Sequence, residues 1–481
     1  MEIARHRTAL VRGDLSRPLR LAIGDGLLNL ERTLMDYGCG RGGDVAKLRG
    51  AGFDCAGWDP VHAPQGERRR ASVVNLGFVV NVIEDADERR EVMRRAWELA
   101  DDVLVVSARL ENERPTASMP TFSDGIVTRL GTFQKFFEQQ ELRAWIDQTL
   151  DCRSVAGAPG VFYVFRHAGA RADFVARRFR RREPVPRLRM SERLVAQHRD
   201  LLDELAAFLV ERGRLPAEEE FAASERLLSA LGSMARAYRL LVSATDPSAW
   251  ERVRVARSED LLLYLALAKF EGRPAFGDLP PDMCRDVKAF FGSYANACRM
   301  ADELLFSIGG QDKLDEAAAA SPLGKLLPTA LYVHVDAVAA LSLPLRLYEG
   351  CGRAALGAVD DATIVKLRRD EPKLSYLCYP EFERSAHPKL AESVSVHLQT
   401  FRVRTRRYDR SANPPILHRK EAFIAQDHPD REKYARLTRA EERAGLFQDA
   451  AAIGTAVGWG AALAARGLAI RGHRLMRGAD D

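Results

Sequence analysis

The segment Asp36-Tyr37-Gly38-Cys39-Gly40-Arg41-Gly42 constrains the fold of this chain more than any other stretch. It follows a short apolar run and precedes a helix-like run, and Asp59 lies 23 residues beyond Asp36. Glycines let the backbone turn tightly from a strand into a helix and let a ligand approach closely. An acid at the end of the next strand can accept hydrogen bonds from ribose hydroxyls. The pattern therefore predicts a nucleotide-type site at the start of an α/β domain.

The acid ahead of the first glycine distinguishes this loop from a dinucleotide fingerprint. A dinucleotide site leaves the amides at the helix terminus free to hold a pyrophosphate. The order Asp-x-Gly-x-Gly-x-Gly instead resembles motif I of class I S-adenosylmethionine-dependent methyltransferases. That resemblance implies S-adenosyl-L-methionine as the cofactor, and Asp36 would meet its cationic end directly or through water. The residues expected to bind it are Asp36, Gly38, Cys39, Gly40, Gly42, Asp59 and Pro60. A surface turn is the alternative for a glycine-rich loop taken alone.

Length and composition limit the remaining classes of protein. With 481 residues, 46% of them hydrophobic, the chain can form two or three domains with real cores. Charges interrupt every apolar stretch that could span a bilayer, and the first residues lack the apolar core of a secretion signal. Seven cysteines are scattered without a Cys-x-x-Cys pair, which fits neither a disulfide framework nor a zinc site. We therefore expect a reduced cytoplasmic protein with no metal and no membrane partner.

Alternating strand-like and helix-like runs follow the glycine loop. They predict an α/β fold with a Rossmann-like class I methyltransferase domain and a mostly parallel sheet. The predicted strands are 34–37, 53–59, 72–77, 102–109 and 160–165, and the predicted helices are 44–50, 86–100 and 139–150. We expect a large, mainly helical C-terminal region that contains a small α/β part, because 363–367, 374–379 and 393–399 alternate as strands do. The expected divisions are a helical lead-in (1–30), the methyltransferase domain (31–167), a helical domain with a basic segment (168–350), and a mixed α/β region with a helical tail (351–481).

The connection after Asp59 is unusually short. Only twelve residues separate Asp59 from the apolar run that begins at Ser72, too few for a helix, a strand and a second helix. We expect one strand-helix unit of the usual methyltransferase sheet to be missing or reduced to a loop at 61–70. The acid that often contacts adenine after that unit then has no counterpart here.

The end of the third strand is the best candidate for the methyl-acceptor site. In amino-group methyltransferases that act on DNA, this strand ends in Asp/Asn-Pro-Pro-Tyr/Phe, whose polar group contacts the target nitrogen while the ring stacks on a flipped-out base. Asn75 and Phe78 keep that spacing, although Leu76-Gly77 replaces the prolines. We predict Asn75 and Phe78 as catalytic residues. A polar strand end followed by a core phenylalanine is the alternative. The run 413–416 matches better by letter, but it lies far from the domain and lacks the ring.

Acidic residues open the helix that follows this strand. Glu84 could orient a nucleophile, and Asp85 precedes Asp87 and Glu88 at the predicted helix start. Acids at a helix N-terminus are ordinary capping residues. We therefore expect Asp85 to cap the helix.

Two segments concentrate positive charge. Between Arg166 and Arg199 there are eleven arginines and three acids, and the run 402–408 reads Arg-Val-Arg-Thr-Arg-Arg-Tyr. Such clusters suit a polyanion, because each neutralised phosphate releases counterions. A solvated helix face or an inter-domain linker is the alternative for either segment.

Several strings together resemble one family, the DNA phosphorothioation-associated methyltransferases. The resemblance covers nearly the whole chain and is weakest over 168–260 and after about residue 450. It implies a methyltransferase fold and, by association, DNA in a phosphorothioation-linked modification or defence system, with proteins of that system as partners. Gly43 departs from the acid expected in relatives. The strings that carry the resemblance are 36–42, 57–60, 74–85, 131–136, 288–294 and 413–421.

These observations favour an S-adenosylmethionine-dependent methyltransferase that acts on nucleic acid, with DNA as the substrate. One alternative is a methyltransferase for a small molecule or a protein, which a closed cleft without base-stacking residues would favour. The other is a non-catalytic module that keeps the methyltransferase fold and binds nucleic acid or partner proteins. Cofactor binding without turnover on any nucleic acid would favour the non-catalytic module.

Overall fold

The computed structural model describes residues 3, 5–9, 13–115, 119–181, 183, 195, 197–449 and 452–477. The chain forms two compact units. The α/β unit comprises 1–167, 322–338 and 351–481, and the helical unit comprises 168–321 and 339–350. Within the described residues, no helix has both the length and the apolar character needed to cross a bilayer.

A six-stranded sheet forms the centre of the α/β unit, in the order β2-β1-β3-β4-β9-β8. β1 pairs in parallel with β2 and β3, β3 pairs in parallel with β4, and β9 runs antiparallel to both β4 and β8. The strands are β1 (Leu34–Tyr37), β2 (Cys55–Trp58), β3 (Ala71–Gly77), β4 (Ala100–Ser107), β8 (Ser154–Ala158) and β9 (Val161–Phe165). The expected α/β class with a parallel-rich sheet is confirmed, and β8 is a strand that the sequence analysis did not predict.

Four helices accompany this sheet. Strands of a covered parallel sheet are buried on both faces, which explains the continuous apolar runs in β3 and β4. The helices are α1 (Arg17–Gly24), α2 (Gly43–Gly50), α3 (Ala86–Leu99) and α4 (Gln139–Leu150). Asp85 caps α3 as predicted, because its carboxylate accepts from the backbone N–H groups of Asp87 and Glu88 at 2.8 Å each.

The connection from β2 to β3 is a loop, as its length predicts. Residues 59–70 form neither a helix nor a strand, and the segment has only an isolated bridge between Asp59 and Ala63. A direct consequence is that β2 is an edge strand. Since β1 leads to β2 on one side and β3 lies on the other, the strand order reverses between β1 and β3. In open α/β sheets such a reversal leaves a crevice at the carboxyl ends of the strands.

A small three-stranded antiparallel sheet is inserted between β4 and α4. Its strands are β5 (Thr121–Phe122), β6 (Gly125–Val127) and β7 (Phe133–Gln134). The guanidinium of Arg89, a buried residue of α3, donates to both carboxylate oxygens of Asp124 at 2.8 and 2.9 Å. This bidentate pair fastens the insertion to the helix that follows β3.

The second large sheet of the α/β unit is antiparallel throughout, in the order β10 to β15. The predicted strands at 363–367, 374–379 and 393–399 correspond to its three central strands. The other three were not predicted. The strands are β10 (Lys325–Leu327), β11 (Ala330–His334), β12 (Ile364–Arg368), β13 (Lys373–Cys378), β14 (Glu392–His397) and β15 (Val403–Arg407).

The end of the chain contains helices and a hairpin. The expected helical tail corresponds to helices Arg431–Arg443 and Ala456–Ala464. An antiparallel hairpin, β16 (Leu468–Arg471) and β17 (Arg474–Arg477), follows them and was not predicted.

The long helix Pro247–Leu267 lies at the centre of the helical unit, and eleven of its residues are buried. Residues 322–338, which the sequence analysis placed with this region, instead form β10 and β11 of the α/β unit. Helix Leu343–Leu356 contributes its residues 343–350 to the helical unit. The other helices among the described residues of the unit are Ala168–Phe179, Arg199–Arg212, Ser224–Leu231, Met234–Ser243, Pro281–Phe291, Tyr294–Ser307 and Gln311–Ala319.

Candidate cofactor and acceptor site

The glycine loop joins β1 to α2 at the crevice between β1 and β3. The N–H groups of Gly38 and Cys39 both donate to the carbonyl of Trp58, at 2.7 and 3.1 Å. Gly38, Gly40 and Gly42 have φ of +88°, +55° and +74°, a region that L-residues with side chains rarely adopt. A Cβ on Gly38 would also overlap a methyl group of Val79. The backbone of this loop therefore requires glycine at its first position for two separate reasons.

Asp59 binds the glycine loop from the end of β2. Its Oδ2 accepts from the Gly40 N–H at 3.1 Å, and its Oδ1 accepts from the N–H groups of Val61 and His62 at 2.9 and 2.8 Å. A carboxylate has about four acceptor positions, and these bonds use three of them. The remaining position is on Oδ2, so Asp59 can accept one ribose hydroxyl without giving up a present bond. Pro60 follows it and is exposed.

Asp36 and Asn75 meet beneath the crevice. They are paired positions of β1 and β3, and the Asn75 Nδ2 donates to the Asp36 Oδ1 at 2.8 Å. Both side chains are buried, at 4% and 2% exposure. The Asn75 Oδ1 is buried without a hydrogen-bond partner. Leaving such an oxygen unpaired costs about 1–3 kcal/mol, so a ligand donor that reaches it would gain that amount.

This contact bears on the role predicted for Asn75. That its amide oxygen meets a target nitrogen stays a prediction. The structure adds a second function for the same side chain, because its amide nitrogen orients Asp36. The two residues are 39 apart in sequence, and only the adjacency of β1 and β3 brings them together.

Phe78 is held in an unfavourable backbone conformation just beyond β3. Its φ is +59°, in the left-handed region where a bulky residue is an outlier. Its N–H donates to the carbonyl oxygen of Ser107 at 3.0 Å and to the Ser107 hydroxyl oxygen at 3.1 Å. Strain of this kind costs on the order of 1–3 kcal/mol and is concentrated at functional sites. Ser107, the last residue of β4, is a site residue that the sequence analysis missed.

Asn81 is a second buried amide next to the acceptor candidates. It is 1% exposed, and its backbone carbonyl accepts from the Lys135 N–H at 2.8 Å and from the Gln134 Nε2 at 3.2 Å. Its side-chain oxygen is buried without a partner. β3 and the loop that follows it therefore hold two unsatisfied amide oxygens, those of Asn75 and Asn81.

The first described residues of the chain contact this loop. Arg5 donates to Glu84 at 2.9 Å and to both oxygens of Glu88 at 2.7 Å. Burial is the largest single influence on Glu84 and disfavours its ionised form. The hydrogen bond from Arg5, a backbone hydrogen bond and the charge of Arg5 together outweigh burial and hold the pKa of Glu84 below its usual value. A Cβ on Gly40 would lie 3.2 Å from the Cβ of Ala9. Residues 5–9 therefore lie against both the glycine loop and the start of α3.

Cys39 does not supply a thiolate at neutral pH. Burial, followed by the charges of Asp36 and Asp59, raises the pKa of its thiol to about 12. Thiolates rather than thiols act as nucleophiles. Cys39 therefore contributes backbone geometry to the loop and not a covalent step.

The two basic segments differ in how their charges are paired. In the described part of 166–199, Arg177, Arg181 and Arg199 pair with acids of the helical unit, at 2.8 Å to Asp173, 2.7 Å to Glu259 and 3.4 Å to Asp203. Arg182, Arg187, Arg189 and Arg193 lie outside the described residues. Arg402, Arg404 and Arg406 are exposed and form no ion pair with any described acid.

No group of three or more His, Cys, Asp or Glu side chains in the described part of the chain is arranged to hold a metal ion. No protein-family model matches this sequence, and no curated protein matches it either.

Proposed function

We propose that this chain is an S-adenosylmethionine-dependent methyltransferase that acts on nucleic acid, with DNA as its substrate. The observation that carries the proposal is the position of the Asp36–Gly42 loop and Asp59 at the reversal of strand order between β1 and β3. Ligands of open α/β sheets bind at such a reversal. The phosphorothioation-linked setting rests on the resemblance of the strings named above to that family.

The residues at the crevice fit the methyl donor in charge and in hydrogen-bonding capacity. Asp36 supplies a carboxylate for the cationic end of the ligand. Asp59 retains one acceptor position for a ribose hydroxyl, and the Asn75 Oδ1 lacks a donor. The bound cofactor would supply an electrophilic methyl group. The chain's own part is to hold donor and acceptor in line, because orientation contributes much of the rate of such a transfer.

Phe78 and Asn75 are the residues that we assign to the acceptor. The ring of Phe78 would stack on an extruded base, and a strained backbone held by Ser107 fixes where that ring projects. Asn75 would keep Asp36 oriented through its amide nitrogen while its oxygen accepts from a ligand amine. The Cys39 thiol stays protonated, which favours direct transfer over transfer through a cysteine.

Two measurements on the full chain test this proposal. The first is calorimetric titration with S-adenosylmethionine, and the second is methyl incorporation from labelled cofactor into DNA, RNA and phosphorothioated DNA. We expect Asp59→Ala to weaken cofactor binding about 10-fold or more, because it removes a charged acceptor and three bonds that shape the loop.

Asp101→Asn is the matched control. Asp101 is an exposed acid near the amino-terminal end of β4, at the opposite edge of the sheet from the crevice. It should leave cofactor binding unchanged. Absence of cofactor binding in the wild type would refute the proposal. Binding without label in any nucleic acid would remove nucleic acid as the substrate and favour the small-molecule, protein or non-catalytic alternatives.

A further inference from the structure

We infer that the outer strand β15 and the polar face of its sheet form a docking surface for single-stranded DNA. This inference rests on the proposed function, since the docked strand would be the substrate. We call the surface the β15 groove and define it by Lys373, Ser395, His397, Arg402, Arg404 and Arg406.

The register of the antiparallel sheet places the polar residues of three strands on one face. Lys373 pairs with His397, and Ser375 pairs with Ser395. Ser395 pairs with Arg404, and Ser393 pairs with Arg406. The intervening positions Leu374, Tyr376, Val394 and Val396 are apolar and buried. One face therefore packs on the core, while the other presents polar groups without an acid at any of these paired positions.

The three arginines of this surface are available to a ligand, whereas Lys373 pairs with Glu371 at 3.6 Å. Arg404 and Arg406 lie in β15, and Arg402 immediately precedes it. Because the three alternate along an extended chain, they project from the same side at intervals of about 6.8 Å. None of the three forms an ion pair with a described acid, and only Arg406 has a ring contact, its guanidinium 5.2 Å from the centre of Tyr408. Positive side chains held apart from acids attract phosphates most strongly.

Two adjoining cavities follow β15 and share Glu138, Arg402 and Arg404. One has a volume of about 670 Å³ and the other about 430 Å³. Three acids line them. Glu111 pairs with Arg114 at 3.4 Å and Glu371 pairs with Arg368 at 3.3 Å, which leaves Glu138 as the acid without an ion pair among the described residues. Three unpaired arginines against one unpaired glutamate give the groove a positive balance.

The shape of the groove favours a single strand over a duplex. The arginines form a straight row, which an extended strand can follow, whereas a duplex strand winds away around its axis. His397 and Phe401 also line the larger cavity. Rings beside a row of cations are typical of surfaces that bind single-stranded nucleic acid, because bases stack on rings of any sequence. β15 pairs with β14 alone, so its outer edge also offers backbone groups to a ligand.

The groove is connected to the acceptor candidates through β4. Ser107 holds Phe78, and Leu110, only three residues farther along, lines the smaller cavity. Three residues span at most about 11 Å of chain. A strand bound along β15 would therefore pass close to Phe78, where a base could leave it for the crevice.

The test is fluorescence anisotropy of the full chain with a labelled single-stranded DNA of mixed sequence. RNA of the same sequence, duplex DNA and polyglutamate are the comparison ligands. The variant is the triple substitution Arg402→Gln, Arg404→Gln and Arg406→Gln. The matched control is Arg471→Gln, Arg474→Gln and Arg477→Gln, which removes the same charge from the exposed hairpin β16–β17. Circular dichroism establishes that each variant is folded.

We expect the groove variant to bind single-stranded DNA roughly 10- to 100-fold more weakly at about 0.1 M salt, and its salt slope to fall by about 2. The control should match the wild type, and single-stranded DNA should bind more tightly than the other three ligands. Equal losses in both variants would show that general charge, not the groove, binds DNA. Tighter binding of duplex, RNA or polyglutamate would overturn the assignment of the ligand.

The outcome is separable from that of the proposed function, because anisotropy requires neither cofactor nor turnover. Asp59→Ala should bind single-stranded DNA as the wild type does. Failure of cofactor binding together with groove-dependent DNA binding would refute the methyltransferase and retain the docking surface. Methylation of DNA that the groove variant leaves unchanged would refute the docking surface and retain the methyltransferase.

Discussion

The two large sheets of the α/β unit carry their polar side chains in different places. In the parallel-rich sheet, Asp36, Asn75 and Ser107 lie at or near the carboxyl ends of buried strands. In the antiparallel sheet, polar residues alternate along β13, β14 and β15 on one face. A parallel sheet covered on both faces can expose chemistry only at its edge, whereas an antiparallel sheet can leave a whole face to solvent.

The two sheets are therefore suited to different ligands. The edge of the parallel-rich sheet collects a few side chains into a small crevice, where buried atoms such as the Asn75 Oδ1 lack partners. The antiparallel sheet spreads exposed cations over an extended surface. The first arrangement suits a small ligand with several specific contacts, and the second suits a polymer with repeated charge.

The largest effect is expected from Asp36→Ala. It removes the carboxylate that would meet the cationic cofactor and leaves the Asn75 amide nitrogen without its acceptor. A hydrogen bond to a charged group contributes about 1.5–3 kcal/mol, so we expect cofactor affinity to fall up to roughly 100-fold by calorimetry. Ser395→Ala, a polar loss on the antiparallel sheet, should leave cofactor affinity unchanged. Equal effects of the two would contradict the division of roles between the sheets.

Phe78→Ala should impair methyl transfer to DNA while leaving cofactor affinity unchanged. Stacking of a base on an aromatic side chain contributes about 1–3 kcal/mol, which corresponds to a loss of roughly 10-fold or more in kcat/KM. The backbone at φ +59° is strained, so Phe78→Gly should raise the free energy of unfolding. Steady-state kinetics measures the effect of Phe78→Ala, and urea unfolding measures the effect of Phe78→Gly. A Phe78→Ala variant with wild-type kcat/KM would exclude stacking at this position.

Gly38→Ala should destabilise the chain and also weaken cofactor binding, by less than Asp36→Ala does. The left-handed φ and the overlap with Val79 together predict a loss of about 2–4 kcal/mol in urea unfolding. Gly352→Ala is the counterpart at the antiparallel sheet, since its Cβ would overlap Leu374. It should cost a similar free energy of unfolding and leave cofactor affinity intact in the folded fraction. Gly43→Ala, in α2 with open space around it, should be neutral or stabilising.

The smallest effect concerns acid stability of the inserted sheet. The hydrogen bond from Arg89, against the effect of burial, lowers the pKa of Asp124 to about 2. A carboxyl with a lowered folded-state pKa contributes stability above its unfolded pKa and loses it as pH falls through the folded one. The wild type should therefore lose stability between about pH 4 and 2, and Asp124→Asn should lose less over that window. Since 39% of the Asp124 side chain is exposed, the difference should be about 1 kcal/mol or less.

Thermal unfolding at a series of pH values measures this difference. Glu220 of the helical unit is the control. The hydrogen bond from Arg214 lowers the pKa of Glu220 to about 2. Glu220→Gln should therefore reduce the loss of stability over the same pH range without involving either sheet. An Asp124→Asn variant with the acid profile of the wild type would mean that the pair with Arg89 does not stabilise the insertion.

The elements that could be predicted from the sequence are those set by patterns over a few neighbouring residues. Strand 34–37, helix 139–150 and the cap at Asp85 were recoverable because apolar spacing and capping chemistry act over a few residues. The short connection after Asp59 was equally readable, since twelve residues leave no room for a further unit. Strands β8, β10 and β15 were missed because short edge strands carry little periodicity of their own. β11 is an interior strand, but its five residues also form too short a run to show a period. Residues 322–338 were assigned to the helical region because the contacts that unite them with 363–397 are distant in sequence.

Several features of the candidate sites can be read from the sequence alone. They are the glycine loop, the acids Asp36 and Asp59, the polar strand end at Asn75 and the alternating arginines of 402–406. These are properties of residue type and spacing. Three further features are visible only in the folded chain. Asn75 orients Asp36, Ser107 holds Phe78 in a strained backbone, and the row of arginines borders a groove leading to β4. The physical reason is that strand order and register depend on how distant segments bury their apolar faces together, which no local spacing records.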